Sequence, residues 1–318
     1  MNKQAVGIVG YGFVGQAVAA GLCPVAKVLV YDKKPELGLL EVEECVEGWA
    51  EGKVETTLDP FQALAQHARI IFVCVPTPMQ KDGSCDISIV EEVVRKLDNA
   101  AVARSPRPVV VIKSTVPPGT TAELQEKCQW IDLVFNPEFL TEANSMRDFA
   151  EQDRVILGGV GSRNEGVEEV VTLYREFGLA RQSLPRYGST ENPGMPTIQI
   201  CTSTEAEMIK YLSNCFLATK VSLANEFAQL CEKIGVDWET VWRLASKDDR
   251  LGFSHWQVPG PDGKPGFGGS CFPKDLCGMT QFMTENGVDP NVLVGVWNAN
   301  LEARPEQDWE DLKGRAVT

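Results

Sequence analysis

Short apolar runs alternate with longer stretches of helical spacing through the first half of the chain. The apolar runs predict strands at Ala5–Val9, Lys27–Tyr31, Arg69–Val75, Pro108–Ile112, Asp132–Phe135 and Arg154–Leu157. Helices are predicted between them, among them Phe13–Leu22, Ile87–Ala101 after a cap at Asp86, and Thr120–Cys128 after Gly119. Each intervening segment has the length of a crossover connection, and strands joined by helical crossovers run parallel. Residues 1–186 are therefore predicted to form an α/β domain with a doubly wound parallel sheet.

The second half of the chain is patterned differently. Residues 187–202 begin with a stretch rich in Gly, Pro, Ser and Asn and are predicted to be a linker. Apolar positions then recur at helical spacing and predict helices at Ser203–Lys233, Trp238–Ala245, Pro273–Asn286 and Asn291–Ala303. We therefore predict a mainly α-helical second domain over residues 203–304, with residues 305–318 beyond it.

The first of these helices is unusually long. A capping box at Thr202 and Glu205, or one at Thr204 and Glu207, is predicted to begin it. A helix of about thirty residues is about 45 Å long at 1.5 Å per residue and needs burial along much of its length. We expect a second subunit to cover part of it.

Composition and charge narrow the class of protein. A chain of 318 residues with 43% hydrophobic content buries a large core, and its length favours about two domains. The net charge of −14 argues against a nucleic-acid or anionic-membrane partner. No apolar stretch approaches the roughly 20 residues that cross a bilayer, so a cytosolic protein is expected. The ten cysteines form no CxxC pair and only two histidines occur, so we expect reduced thiols and no metal.

A glycine-rich turn, Gly10–Gly15, follows the first predicted strand and opens a helix. In this GxGxxG pattern Gly10 permits the tight turn, Gly12 lets a pyrophosphate approach the backbone, and Gly15 lets helix and strand pack closely. Asp32 ends the next predicted strand, where its carboxylate can accept both hydroxyls of a ribose. The turn and the carboxylate together predict a Rossmann domain.

The same carboxylate bears on the choice of cofactor. It would repel a 2′-phosphate, so NAD is predicted rather than NADP, although Lys33 and Lys34 follow it directly. The alternative is structural, with glycines that serve the turn and Asp32 as a solvated residue at the strand end.

Cys271 directly follows a second glycine-rich segment, Gly266–Ser270, and lies just before a predicted helix. Helix N-termini favour the thiolate, and the glycines leave room for a substrate. A typical cysteine is buried and inert, and this alternative covers most of the others. Lys274 and Asp275 lie close to Cys271 in the sequence and favour a reactive thiol.

Polar residues on the long helix and after two strands complete the candidate site. Lys210 and Asn214 lie four residues apart, so they share a helix face and can approach one oxyanion, unless they belong to a solvated polar stripe. The segments 113–120 and 136–142 follow strands at their carboxyl ends, where open α/β sheets bind ligands. Glu138 and Glu142 in the latter are either catalytic carboxylates or helix-start residues favoured by the macrodipole.

Taken together, these motifs resemble the UDP-glucose/GDP-mannose dehydrogenase family from Val6 to about Arg304. The markers are Pro76–Pro78 with Asp82, Gly83 and Asp86, then 113–120, 136–142, 153–156, 205–214, Asn225 with Glu226, 249–252 and 266–275. Members of this family oxidise the C6 alcohol of a nucleotide sugar to a carboxylate by two successive hydride transfers to NAD⁺. A thiohemiacetal and then a thioester form on a cysteine. The resemblance implies that Cys271 is this nucleophile and that Lys210 and Asn214 stabilise the oxyanion.

Further roles are implied by the resemblance alone. Thr115 and Asp275 match residues that hold the catalytic water and assist proton transfer. Glu142 matches the carboxylate that promotes thioester hydrolysis, and Glu138 matches the one that supports it. Arg250 resembles an arginine that contacts the substrate from a partner subunit, and the long helix resembles the family's dimer interface, so a homodimer is expected.

The residues expected to bind each ligand follow from the motifs and the resemblance. Those for NAD are Gly10, Gly12, Phe13, Val14, Gly15, Asp32, Lys33, Pro76, Thr77, Thr115, Glu142 and Lys274. Those for the nucleotide sugar are Phe139, Leu140, Lys210, Asn214, Arg250, Phe267, Gly268 and Gly269.

The end of the chain departs from the family. Members normally continue into a second nucleotide-binding-like domain, and residues 312–318 look like its first strand. Much of the contact with the substrate's nucleotide is therefore expected to be missing.

UDP-glucose is the first choice of substrate, with GDP-mannose and N-acetylated UDP-hexosamines open. The alternatives are a two-electron β-hydroxyacid dehydrogenase, which needs no cysteine, and a non-catalytic or weakly active short homologue that binds NAD or a sugar nucleotide.

Overall fold

The computed structural model describes residues 4–34, 38–42, 51–53, 58–161, 165–181 and 194–318, with the backbone alone for 38–42 and 51–53. The described chain divides into two compact units. The first comprises Met1–Pro76 with Ile87–Lys210, and the second comprises Thr77–Asp86 with Tyr211–Thr318. The division falls within the long helix rather than before it, and the segment from Thr77 to Asp86 belongs with the second unit.

A nine-stranded sheet forms the centre of the first unit, in the order β4-β3-β2-β1-β5-β6-β7-β8-β9. The strands are β1 Ala5–Val9, β2 Lys27–Asp32, β3 Gly38–Val42, β4 Glu51–Lys53, β5 Ile70–Val73, β6 Val109–Ile112, β7 Asp132–Phe135, β8 Arg154–Gly159 and β9 Thr197–Thr202. All six predicted strands are confirmed. β2, β1, β5, β6 and β7 run parallel, as predicted, because helical crossovers connect them.

Helices cover both faces of this sheet. They are α1 Phe13–Leu22, α2 Pro60–His67, α3 Ser88–Ala100, α4 Thr120–Lys127, α5 Ser145–Ala150, α6 Glu165–Arg181 and the start of α7 Ser203–Ile234. One apolar layer is formed with α1, α5 and α6, and the other with α2, α3 and α4. The doubly wound α/β fold is therefore confirmed. The predicted cap at Asp86 is wrong, because α3 begins after Ile87 without a side-chain cap.

Three parts of the sheet differ from the prediction. β3 pairs antiparallel with both β2 and β4, and β8 pairs antiparallel with β7. β9 pairs parallel with β8 over six residues, so the last part of the predicted linker, Thr197–Thr202, is a strand. The backbone groups of this segment form hydrogen bonds with β8 at the sheet edge, whereas those of a linker would bind water. Residues 187–193 of that predicted linker lie outside the described residues.

The second unit is mainly helical, as predicted. It contains the rest of α7, α8 Trp238–Ala245, α9 Phe272–Glu285, α10 Asn291–Ala303 and a 3₁₀ turn at Asp308–Asp311. Two apolar clusters hold it together, one between α7, α9 and α10 and the other around the fully buried Trp309. The predicted strand at 312–318 is wrong, because this segment forms only isolated bridges, including one between Met79 and Val317.

Two compositional expectations bear on the whole chain. No helix among the described residues is long and apolar enough to span a membrane. Eight cysteines of the described ranges are free, whereas Cys23 is disulfide-bonded, so the expectation of reduced thiols holds for those eight and is wrong for Cys23.

The start of α7 packs so closely on β8 that Gly158 has no room for a side chain. A methyl group at Gly158 would lie 2.7 Å from the Cα of Ser203 and 2.8 Å from the Cβ of Ala206. We predict that Gly158→Ala lowers the free energy of unfolding by about 1–3 kcal/mol, because a packed backbone must move. Urea unfolding followed by circular dichroism measures this change.

Gly295→Ala is the matched control. A methyl group there meets no described atom within 4 Å, and the residue lies within helix α10. It should leave stability unchanged or raise it slightly, because alanine favours the helix. Equal effects of the two substitutions would contradict the close packing of α7 on β8.

Candidate active site

The glycine turn after β1 leaves open the position that a pyrophosphate requires. Gly10 has φ +94°, and a methyl group there would lie 2.5 Å from the carbonyl oxygen of Cys74. A methyl group at Gly15 would lie 2.0 Å from the carbonyl oxygen of Gly10, so this glycine closes the turn. A methyl group at Gly12 meets no described atom within 4 Å, and Gly12 is the N-cap of α1. The turn therefore fits a dinucleotide at an open helix N-terminus.

Asp32 lies beside this turn. Its Oδ2 accepts the backbone N–H of Tyr11 at 2.7 Å, and its Oδ1 accepts that of Lys34 at 3.0 Å. A carboxylate has about four acceptor sites, so two backbone donors fix its orientation and leave capacity for ribose hydroxyls. Asp32 is therefore half-buried and held by backbone donors, and its alternative interpretation as a structural residue at the strand end stays open.

Buried polar side chains connect the ends of β6 and β7. The ammonium of Lys113 donates to Oδ1 of Asn136 at 2.9 Å, and the hydroxyl of Tyr174 donates to the same oxygen at 2.6 Å. The Asn136 amide donates to the carbonyl oxygen of Ile156 at 2.8 Å. Burial lowers the pKa of Lys113 to about 8. This network fixes the first residue of each strand-end segment.

Lys210 on α7 forms a buried ion pair with Glu138. Its Nζ donates to Glu138 Oε1 at 2.9 Å and to the Glu138 carbonyl oxygen at 2.6 Å, and the two residues are 3% and 7% exposed. Burial raises the pKa of Glu138, but the Lys210 ammonium and the backbone N–H of Leu140 outweigh it, so the net pKa is lowered. Glu138 is therefore an ionised partner of Lys210 and not a helix-start residue.

Phe139 lies against the same ammonium. The Lys210 Nζ lies 5.7 Å from the Phe139 ring centroid, and the Arg154 guanidinium carbon lies 4.7 Å from it. Both cations therefore lie within cation–π distance of this ring.

Glu207 is a buried carboxylate to which the sequence assigned no role in a site. It accepts the backbone N–H of Gly119 at 2.6 Å, and it accepts the backbone N–H and the hydroxyl of Thr121 at 2.8 and 2.6 Å. It therefore caps the N-terminus of α4 and holds the segment that contains Thr115.

The capping box at the start of α7 is the one at Thr202 and Glu205. The Glu205 carboxylate accepts the Thr202 backbone N–H at 2.8 Å, and Thr202 Oγ1 accepts the Glu205 N–H at 3.3 Å. The spacing of Thr204 and Glu207 fits a capping box equally well, but the buried Glu207 side chain binds the N-terminus of α4 instead. Only the tertiary structure distinguishes the two.

Cys271 stands at the junction of the second glycine loop and α9, as predicted. It is the N-cap residue of α9, which begins at Phe272, and it is partly exposed. Its Sγ lies 3.9 Å from the hydroxyl oxygen of Ser270. Lys274, one turn into the helix, is in electrostatic contact with Cys271. Cys271 is therefore a partly exposed residue at a helix N-terminus and near a cation, an arrangement that favours a nucleophile.

Asn214 and Lys274 both contact Asp275 in the second unit. The Asn214 amide donates to Asp275 Oδ2 at 2.5 Å, and Lys274 forms a short ion pair with Oδ1. Asp275 is 1% exposed, and Asn214 is 6% exposed. Because Lys210 and Asn214 are both buried, the alternative of a solvated polar stripe is wrong.

The other predicted site residues are placed as follows. Thr115, Thr77 and Phe267 are buried; Phe13, Val14, Phe139, Leu140, Gly268 and Gly269 are half-buried; Gly12, Lys33, Pro76, Glu142 and Arg250 are exposed. Glu142 is the first residue of a 3₁₀ turn, so its helix-start interpretation stays open. The Arg250 guanidinium pairs with Asp248.

In the described part of the chain, no group of three or more His, Cys, Asp or Glu side chains could hold a metal ion.

A doubly wound sheet with a GxGxxG turn after its first strand and a carboxylate at the end of the next strand is typical of a dinucleotide-binding protein. The model of the NAD binding domain of the UDP-glucose/GDP-mannose dehydrogenase family matches residues 4–178, and the model of its central domain matches residues 204–302. The chain therefore belongs to the UDP-glucose/GDP-mannose dehydrogenase family, and the predicted cofactor, NAD, is confirmed.

Individual relatives support this assignment. UDP-glucose 6-dehydrogenase of Rickettsia bellii is 33% identical over 264 residues, which are 79% of this chain and 55% of the relative. The structure of a UDP-glucose dehydrogenase from Pyrobaculum islandicum is similar with a TM-score of 0.75 and 26% identity, over 95% of this chain and 68% of that one. The chain thus spans 55% of the length of the Rickettsia enzyme.

One further structure shares the fold alone. The 3-hydroxyisobutyrate dehydrogenase of Mycobacterium tuberculosis has a TM-score of 0.67 at 16% identity, over 96% of this chain and 95% of that one.

The position of Asp32 generates a prediction about cofactor choice. Asp32→Asn should weaken NADH binding about tenfold or more while affecting NADPH much less, because charge-assisted hydrogen bonds to the ribose hydroxyls are lost. Fluorescence titration with each reduced cofactor measures both affinities. Glu168→Gln on α6 removes the same charge from an exposed position and should change neither. An unaltered preference in Asp32→Asn would remove this residue from the ribose site.

The environment of Glu207 generates a prediction about pH. Burial raises the pKa of Glu207 from 4.5 to about 7, and the donors from Gly119 and Thr121 only partly offset it. The folded state therefore binds this proton more tightly than the unfolded state. The resulting stabilisation is complete below pH 4.5 and is lost as the pH rises through about 7.

Glu207→Gln does not titrate, so the comparison isolates this contribution. Wild-type stability minus variant stability should fall by more than about 1 kcal/mol from pH 5 to pH 8 in urea unfolding. Glu205→Gln is the control, because hydrogen bonds from Thr202 lower the pKa of Glu205 and place its titration below this range. A flat difference for Glu207→Gln would mean that its carboxyl group does not titrate between these values.

Proposed function

We propose that this chain oxidises the C6 alcohol of a nucleotide sugar to a carboxylate with NAD⁺ as the hydride acceptor, by way of a covalent intermediate on Cys271. The observation that carries the proposal is the partly exposed thiol at the N-terminus of α9, in a chain that belongs to this dehydrogenase family. A two-electron dehydrogenase of the same fold needs no thiol at this position.

Cys271 supplies the covalent chemistry. Its thiolate adds to the aldehyde carbon that the first oxidation produces, and the carbonyl oxygen takes up a proton, which gives a thiohemiacetal. The second oxidation of that carbon gives a thioester. Attack by water then releases the carboxylate and returns the thiol. NAD⁺, when bound, accepts one hydride in each oxidation.

Buried donors and carboxylates support this chemistry. Lys210 and Asn214 carry fixed N–H donors in dry surroundings, where stabilisation of an oxyanion is strongest. Both donors already contact carboxylates, namely Glu138 and Asp275, which hold them in place. Asp275 is the proposed partner of the catalytic water together with Thr115, and Glu142 is the proposed promoter of hydrolysis. The convergence of these groups on one substrate is part of the proposal.

The NAD site is proposed at the turn of α1. Gly10, Gly12 and Gly15 would bind the pyrophosphate, with Phe13 and Val14 at the helix start, and Asp32 would bind the ribose. The proposed set is completed by Lys33, Pro76, Thr77, Thr115, Glu142 and Lys274.

A homodimer through α7 is proposed from the exposed apolar stripe of that helix. The stripe comprises Leu212, Phe216, Leu223, Phe227, Leu230 and Ile234, each at least 43% exposed. The spacing of three, four or seven residues places these side chains on one side of the helix. An apolar stripe of this length is typical of a surface that another chain covers. Arg250, which is exposed, is proposed to contact the partner's substrate together with Phe139, Leu140, Phe267, Gly268 and Gly269 from the substrate's own subunit.

The proposed substrate is UDP-glucose, because the Rickettsia and Pyrobaculum relatives carry that name. GDP-mannose and N-acetylated UDP-hexosamines stay open as alternatives, and a cytosolic location stays a prediction. Because the chain spans 55% of the length of its Rickettsia relative, the test of activity uses this chain itself.

Counting NADH per sugar tests the proposal. The wild type should form two NADH for each nucleotide sugar consumed, because both oxidations occur at one carbon, whereas a two-electron dehydrogenase forms one. Cys271→Ala should lower net carboxylate formation by about three orders of magnitude or more, with NADH affinity unchanged within about twofold. Absorbance at the NADH band and anion-exchange analysis of the product measure both.

Cys277→Ala is the matched control, since Cys277 is another free, partly exposed thiol on α9. It should retain full activity. A stoichiometry of one, or full activity of Cys271→Ala, would contradict the covalent mechanism.

A further inference from the structure

Within the described residues, the backbone of the glycine loop Gly266–Ser270 pairs with no strand, and side-chain amides bind it instead. Asn300 of α10 is fully buried; its Oδ1 accepts the backbone N–H of Phe267 at 2.7 Å and its Nδ2 donates to the Phe267 carbonyl oxygen at 3.0 Å. Asn225 of α7 accepts the N–H of Gly266 at 3.0 Å. Both polar groups of Phe267 are therefore satisfied by a single side chain.

The loop also fits against its support without spare room. A methyl group at Gly266 would lie 2.6 Å from Oδ1 of Asn300. A methyl group at Gly268 would lie 2.7 Å from the guanidinium carbon of Arg304, which is 2% exposed and paired with Asp308 at 3.0 and 2.6 Å. α10 and the residue after it thus form a polar surface on which the loop backbone lies.

Phe267 also contacts the first residue of α9, so its conformation affects the position of the start of that helix. The rings of Phe267 and Phe272 pack edge to face with centroids 6.0 Å apart, and Phe272 directly follows Cys271. A loop with three glycines loses much conformational entropy when it becomes ordered, so it keeps one conformation only where specific contacts offset that loss. Asn300 makes two of these contacts, and neither its side chain nor α10 belongs to the predicted site.

We propose that Asn300 is a positioning residue for the proposed oxidation, which fixes the glycine loop and thereby the placement of Cys271 and of the substrate contacts on the loop. The inference rests on the proposed function. It assigns Asn300 no contact with substrate or cofactor, and Arg304 and Asn225 support the same loop.

Asn300→Asp tests the proposal on the whole chain. The substitution keeps an acceptor for the Phe267 N–H but sets an oxygen against the Phe267 carbonyl oxygen. Hydrogen exchange of the peptide that spans 266–270 should become at least about tenfold faster, while peptides of α9 are unchanged. The kcat for nucleotide-sugar oxidation should fall and the KM for the sugar should rise, each about tenfold or more, with the KM for NAD⁺ within about twofold.

The split between the two KM values separates positioning from partial unfolding, because a smaller folded fraction lowers kcat and leaves both KM values unchanged. Asn298→Asp, on an exposed position of the same helix, is the matched control and should behave as the wild type. If Asn300→Asp does not fold, Asn300→Ser, which keeps a hydroxyl and leaves room for water, takes its place.

The outcomes distinguish this proposal from the one on which it rests. A wild type that oxidises no nucleotide sugar overturns the proposed function. An active wild type, with Asn300→Asp equally active or changed in kcat alone, overturns the positioning role of Asn300 and leaves the function standing.

Discussion

The polar edge of the first unit depends on compensation of the buried ammonium of Lys210. A charge that is 3% exposed loses its hydration, and removal of one partner of a buried pair costs about 3–5 kcal/mol. Glu138 supplies both a carboxylate oxygen and its carbonyl oxygen to this ammonium. The segment after β7 is therefore held to the second turn of α7. If the helix moved along the sheet, the ammonium of Lys210 would stay buried but lose its partner.

A second contact from the same helix fixes the neighbouring strand end. Glu207, one turn before Lys210, binds the N-terminus of α4, so the segment after β6 is also held by α7. Gly158 permits this because helix and strand approach too closely there for any side chain. Close packing, one ion pair and one helix cap thus place the ends of β6 and β7 relative to each other. The proposed chemistry requires this rigidity, since fixed donors need no reorganisation when charge develops.

The sequence predicted the strands in which most side chains are buried, and it missed a strand in which most side chains are exposed. The six predicted strands are largely apolar and lie within the sheet, whereas β9 is mostly exposed and follows a stretch rich in glycine and proline. The short strand β4 consists of Glu, Gly and Lys and carries no apolar signal. Cys271, Asp32 and Lys210 could be proposed from the sequence because a motif surrounds each. Asn300 could not, since its proposed role rests on contact with a loop 33 residues away.

Glu138 and Glu207 show why neither burial nor residue type alone gives the chemistry of a site. Both carboxyl groups are buried, and burial is the largest influence on the pKa of each. Glu138 faces an ammonium, whose attraction outweighs burial and keeps the pKa low. Glu207 faces neutral donors and the like charge of Glu123, so burial prevails and its pKa rises to about 7. An ionised Glu138 keeps Lys210 paired, whereas the carboxyl group of Glu207 that caps α4 changes its charge state near neutral pH.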